Sequence, residues 1–408
     1  MPAKHGNRLF LVSTDAAGDQ ANSGSFDPVI SDNERVVAFQ SFASDLVAGD
    51  TNGVGDVFAK DLRTGKVVLV SADSDGNEGN GGSLGPSISA NGRYVAFSSD
   101  ASNLVPYDTN GARDVFVKDL RTGGVTLVSA DANGQQGDRE SFVASISDDG
   151  RLVAFGSSAT NLAPGDTNGT SDIFVKDLRT GELTLASADA AGDEGNSFSA
   201  DPSISANGRY VAFQSFASDL VPGDSNSRVD IFLKDLRTGE LTLASAGAEG
   251  QQGDNDSLAP SVSANGRYVS FFSFASNLVP GDANDTSDVF VKDLRTGEVT
   301  LVSADASGNQ GDDFSADNAI SDNGRYVAFA SAASNLAPDD ANGTFDVFLK
   351  DLRTGKLTLV SADPEGDAGD ANSAGPFVTD RGSVVFGSLA SDLVPGDANG
   401  SFDIFLFA

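Results

Sequence analysis

The stretch that decides the fold is Pro202–Ala259, PSISANGRYVAFQSFASDLVPGDSNSRVDIFLKDLRTGELTLASAGAEGQQGDNDSLA. Four segments in it have strand character: 202–205, 209–215, 230–236 and 240–245. Each is rich in β-branched or aromatic residues and is bounded by turn chemistry. The Ala-Asn-Gly of 206–208 makes a tight connection between the first pair, and Arg-Thr-Gly of 237–239 does so between the last pair. No segment sustains an apolar period of 3.6, so helices are not expected.

The unit recurs along the whole chain. Its Asp-x-Asn-Gly-x-x-Asp loop begins at Asp50, Asp108, Asp166, Asp224, Asp282, Asp340 and Asp397, a step of 58 residues that shortens by one only at the end. A period of this length marks units that share one continuous core. Four antiparallel strands repeated seven times predict an all-β fold, a seven-bladed β-propeller, in which closing the ring removes free sheet ends. The chain opens with RLFLVSTDAAG, which matches the fourth strand of the unit, and closes with FDIFLFA, which matches the third. The strand near Leu9–Ser13 is therefore expected to complete the last blade. Residues 1–7 read as a tail and 8–408 as a single propeller.

The repeated PSISANGRYVAF and DVFVKDLRTG segments resemble the TolB-like β-propeller repeat, whose blades are related in pattern to WD-repeat blades but lack the Trp-Asp pair. The resemblance covers the whole chain. It departs from the pattern at TDRGSVVFGS, where the turn after the first strand of the last blade is one residue short. Such propellers serve mainly as interaction platforms, which implies a binding module that is extracellular, periplasmic or at the cell surface. Each blade carries one Phe on its second strand and one on its third, Phe155 and Phe174 for example. These read as packing between blades rather than as stacking platforms for ligands.

The chain has 408 residues, 39% of them hydrophobic, with 27 Phe, one His, no Cys and a net charge of −33. The absence of Cys excludes disulfides and thiolate metal sites. The acidity argues against nucleic acid and anionic membranes as partners. The start, MPAKHGNRLF, has no apolar leader core, and no run approaches a membrane span. A soluble monomer is expected, with no membrane insertion.

In the recurring loop, alternate oxygens project from a tight turn whose Gly permits a left-handed backbone. Clustered oxygen ligands suit a hard cation, Ca²⁺ above all. The pattern resembles the inner part of the calcium loops of EF-hands and integrin-type propellers. By that resemblance, Asp166 and Asn168 give side-chain oxygens, Thr170 its carbonyl, and Asp172 closes the site. The corresponding candidates are Asp50, Asn52 and Asp56; Asp108, Asn110 and Asp114; Asp224, Asn226 and Asp230; Asp282, Asn284 and Asp288; Asp340, Asn342 and Asp346; and Asp397, Asn399 and Asp403. That allows up to one Ca²⁺ per blade. The acidic ligand that those loops carry two residues earlier is missing here. Water, or the Asp or Asn of a nearby Ser-[Asp/Asn]-Leu (Asp45, Asn161), must make up the count. The alternative is a loop whose Asp and Asn cap their own backbone as Asx-turns, with no metal.

Catalysis usually breaks repeat symmetry. The only histidine, His5, falls in the tail, which argues against histidine acid–base chemistry and nucleophilic triads. The chain also leaves no room for the hydrolase domain that accompanies peptidases bearing such propellers. No enzyme activity is expected. The leading reading is a cation-stabilised binding module, and a ligand-free scaffold of duplicated or designed repeats is the alternative. A carboxylate-dependent glycan-active enzyme is a third reading. Tyr107, Arg113 and Arg139 depart from the repeat on the acidic loop face, and mark it as the place where a protein or glycan would dock.

Overall fold

The computed structural model describes residues 8–164, 166–338, 340 and 342–408. His5 and the tail of 1–7 lie outside them. Seven four-stranded antiparallel sheets form the blades of a propeller. In the third blade, the inner strand Ser141–Ile146 is followed by Leu152–Ser157, Asp172–Asp177 and a short outer strand Leu183–Leu185. The last blade joins the two ends of the chain: Leu9–Leu11 pairs antiparallel with the C-terminal strand, Leu9 opposite Phe407 and Leu11 opposite Phe405. The ring is closed in the way the chain ends imply.

The paired Phe residues are core. Phe155 lies directly across the ladder from Phe174, and their rings stack at 5.9 Å. Both pack with Ala96, Val115 and Val117 of the preceding blade. Every blade repeats this wedge, so the ring is held chiefly by burial of these fully enclosed rings, each contributing about 1.5–3 kcal/mol.

The inner strands differ from the sequence expectation. The strand of the fourth blade begins at Ser199, three residues before Pro202, and its register shifts between Ala200 and Ser203. Proline has no N–H to give the ladder, so it sits at a bulge. The bulge residue of each blade is left-handed: Asp27, Gly85, Val143, Asp201, Ala259, Asp317 and Gly375, with φ between 44 and 60°. For the β-branched Val143 this is a strained conformation.

Lysine also does something that periodicity does not reveal. Lys176, on the third strand, is buried, and its Nζ donates to the carbonyls of Ala130 and Asp131 in the preceding blade, both at 2.8 Å. Lys60 makes the same clamp across the closure, to Val12 O at 3.0 Å and Thr14 O at 2.8 Å. On the short-turn face, Arg93 forks onto Asp119 and lies over the Tyr94 ring at 4.6 Å. Four other blades repeat the Arg–Asp fork, and in the first blade Arg35 reaches Asp61.

Candidate functional site

Three places concentrate chemistry: the recurring acidic loops, the short-turn end of the axial channel, and the mouth of that channel on the loop face.

In each loop the last Asp starts the third strand and is wholly buried. Asp114 accepts from Ser129 Oγ at 2.5 Å and from Asn110 Nδ2 at 2.9 Å. The Asn is a strut: its Oδ1 accepts the Ala112 N–H, and its Nδ2 also reaches Gly137 O. The carboxamide oxygen is thus engaged by the loop's own backbone, as in an Asx-turn. Thr170 likewise donates to Asn168 Oδ1, from its N–H at 2.6 Å and its hydroxyl at 2.8 Å. Ser227 and Asp285, in the Gly position, keep its left-handed backbone at φ 55 and 57°. The Asp and Asn of Ser-[Asp/Asn]-Leu are turned elsewhere: Asn161 Oδ1 accepts the Asp138 N–H, tying down the connecting loop.

The partner of the Asp pair comes from a residue not singled out by the sequence. Gln136, 28 residues beyond Asp108, donates Nε2 to Asp108 at 2.7 Å and to Asp114 at 2.9 Å. Gln20, Gln252 and Gln310 do the same in the seventh, fourth and fifth blades. In the first and third blades this residue is Glu78 or Glu194, and the sixth has Ala368. Oxygens of Asp50, Asp56 and Glu78 then come within 4.8 Å of one another, and so do those of Asp166, Asp172 and Glu194. Burial first, and then the neighbouring carboxylates, push Asp166 up to about 6 and Asp172 up to about 7.

At the short-turn end, Asp32, Asp148 and Asp322 approach within the same 4.8 Å. They come from the first, third and sixth blades, so they can meet only at the axis. The second, fourth and fifth blades have Ala90, Ala206 and Ala264 there. Burial, with the negative neighbours added, raises Asp322 to about 8 and Asp148 to about 6. Burial comes first among the causes for Asp32 as well, whose carboxyl is raised in the same cluster. Backbone bonds stitch the blades together at this level, such as Ala90 N–H to Asp148 O at 3.2 Å. Asp in four of these turns where the other three have Ala is the signal that would have revealed the cluster.

Between the two ends lies an axial cavity of about 510 Å³ lined by the inner strands of all seven blades, including Asp27, Asp317 and the ring of prolines. Its loop-face mouth is aromatic. Phe42 is 52% exposed, Phe216 40%, Phe198 37% and Phe274 37%. Phe198 stacks on Phe216 at 5.9 Å. Phe274, Phe314 and Phe345 form a chain of contacts at 5.9 Å each, and Phe26 touches Phe42 and Phe402. The rings form three clusters, one in the fourth blade, one across the fifth and sixth, and one across the seventh and first. In the second blade the residue equivalent to Phe42 is Asp100, and Arg113 holds it with a fork at 3.0 and 2.9 Å. Tyr107 is 92% exposed with a left-handed backbone, and Arg139 is exposed beside Asp138. The sequence reading reached only the two repeated Phe of each blade, whereas the rim is built from Phe at unrepeated positions, which was its visible clue.

No protein-family model and no curated protein sequence matches the chain. Solved structures do. An oligogalacturonate lyase in complex with manganese matches at 14% identity and TM-score 0.57, over 100% of this chain and 94% of its own. The acylaminoacyl peptidase of Pyrococcus horikoshii matches at 13% and 0.54, over 95% of this chain and 51% of its own. TolB from Acinetobacter baumannii matches at 19% and 0.41, over 68% and 53%. The chain thus spans about half the length of the peptidase and of TolB. These likenesses correct one expectation. The inference that the protein is not an enzyme leaned on the want of a second, hydrolase domain, yet the lyase is matched over nearly its whole length by the propeller alone. A propeller of this architecture is compatible with catalysis, so the fold does not exclude it. At these identities what the lyase and the peptidase share with this chain is the fold, and the seven four-stranded blades are the propeller that the repeats imply.

Proposed function

We propose that the protein is a binding module of the cell exterior or surface that docks a partner protein at the loop-face mouth of its axial channel. The observation that carries this reading is the exposed aromatic rim, which breaks the repeat in five of seven blades while the core Phe pairs keep it. Contiguous apolar surface of this kind marks interaction sites, and aromatic anchors dominate the energy of protein interfaces. Phe offers no polar handle, which favours an apolar protein surface over a sugar. The net charge of −33 selects a partner with basic residues around those anchors. Loops with low-affinity calcium ligation, of order 10⁻⁴ to 10⁻³ M, belong to extracellular modules, and this supports the location.

The test is photo-crosslinking in the native host, with a benzophenone amino acid at Phe216 or, as the opposite-face control, at Arg179. The expected result is one crosslinked protein from position 216, weakened by salt and lost when Phe42, Phe198 and Phe274 are all changed to Ser. Crosslinking from position 179 only, or from neither position, would overturn the reading.

A further inference from the structure

We infer that two of the seven acidic loops, and only those two, are divalent-cation sites: Asp50, Asp56 and Glu78 form one, and Asp166, Asp172 and Glu194 the other. The glutamine in the same place in four other loops is a built-in substitute for the ion.

The comparison is internal to the chain. In the glutamine loops an amide nitrogen stands 2.7–2.9 Å from both carboxylates and presents them with hydrogens of partial positive charge. The Asp pair is satisfied and nothing further is needed. The other end of the side chain is positioned alike in both kinds of loop. Gln136 Oε1 accepts the Thr109 N–H at 3.1 Å, and a Glu194 oxygen accepts the Thr167 N–H at 2.9 Å. Exchange of amide for carboxylate therefore leaves the geometry intact and replaces the donor with a third negative oxygen.

A second observation comes from the third-blade loop, whose Asp, Asp and Glu recur as Asp50, Asp56 and Glu78 in the first. Asp166 is only 8% exposed, and neither of its carboxylate oxygens has a hydrogen-bond partner, nor does Glu194 Oε1. Buried carboxylates without donors are costly unless a cation meets them. Arg139 acts on Asp166 only through its field and ranks last among the influences on it. Oxygens within 4.8 Å of one another match a shell 2.3–2.6 Å from a central Ca²⁺. The ligands are three carboxylates and water; the Asn remains a strut. This narrows one ion per blade to two per chain. The sixth loop, with Ala368, has neither amide nor third carboxylate; Asp340 there also keeps one buried carboxylate oxygen unpartnered, but two carboxylates alone supply too few oxygens to hold the ion.

The measurement is calorimetric titration of Ca²⁺ into the metal-stripped full chain. The expected stoichiometry is two, falling to one in Glu194→Gln and to none in Glu78→Gln/Glu194→Gln. It rises to three in Gln136→Glu. Because Glu→Gln copies a loop that the chain already uses four times, these variants should fold, and melting in chelator checks that they do. Binding that survives the double change, a stoichiometry near seven, or no heat at 10 mM Ca²⁺ would each overturn the assignment. The partner reading at the channel mouth is independent, since its crosslink can be run with calcium present or absent.

Discussion

Removal of residues 1–14 lowers the melting temperature by roughly 10–30 °C, taking 2–4 °C for each kcal/mol. Several losses combine. The ladder from Leu9 to Leu11 disappears, with the paired bonds between Arg8 and Ala408 and the bond from Val12 N–H to Ile404 O; each is worth about 1 kcal/mol net. Val12 is 2% exposed, and its burial contributes about 1.5–3 kcal/mol. Asp403 loses the Ser13 hydroxyl that donates to it at 2.5 Å, and Lys60 loses its acceptors on Val12 and Thr14. Leaving buried charged groups unsatisfied costs about another 1–3 kcal/mol. The sum, about 5–8 kcal/mol, is comparable to the whole stability of an ordinary domain. It also bares the edge of the C-terminal strand, so the truncated chain should associate. A synthetic peptide of residues 8–20 should restore the melt. A truncated chain melting within about 2 °C of the parent would show that closure contributes little.

The second large effect is on the pH dependence of stability. Asp322 and Asp148 have folded pKa values of about 8 and about 6, above the 3.8 of the unfolded carboxyl. A raised carboxyl binds its proton more tightly in the native state. Its contribution is therefore complete below about pH 4 and is lost as pH climbs through 6 and then 8. The groups facing Asp322 are Asp32, Asp148 and Asp380. The nearby Arg381 is committed to Glu34 at 2.9 Å, so no free cation offsets the repulsion. Melting temperature in chelator should fall between pH 4.5 and 8.5. Asp322→Asn removes one charge while keeping a donor for Asp32. It should stabilise the protein at pH 8 by about 2 kcal/mol, allowing for water at this partly exposed turn, and flatten the profile. A variant with the parent's slope would show that the carboxylates at the axis do not share a proton.

The architecture was legible because it is written locally. Alternation of the kind seen in YVAF and DIFL, with turn residues at constant spacing, specifies each blade without reference to its neighbours. The mismatch between chain ends then requires Leu9–Leu11 to pair with Asp403–Phe407. Two local details escaped: the bulge before Pro202, which moves the inner strand three residues earlier, and the burial of Lys60 and its equivalents between blades. A lysine in a strand looks solvent-facing until the preceding blade's carbonyls are placed beside it.

What only the tertiary structure decided depends on residues far apart in sequence. The acidic loop alone suggested seven equal sites, because Asp166, Asn168 and Asp172 repeat almost without change. Whether an Asp pair is satisfied is set by Glu194 or Gln136, which the connecting loop delivers from the outer edge of the blade. Asp32, Asp148 and Asp322 lie in three non-neighbouring repeats and meet because a closed ring brings equivalent turns to one axis. The Phe rim arises similarly, from Phe at unrepeated positions in five blades that the ring brings to one face. Repetition determines a blade, since strand pairing within it is local; the site belongs to the ring, since long-range contacts exist only after closure.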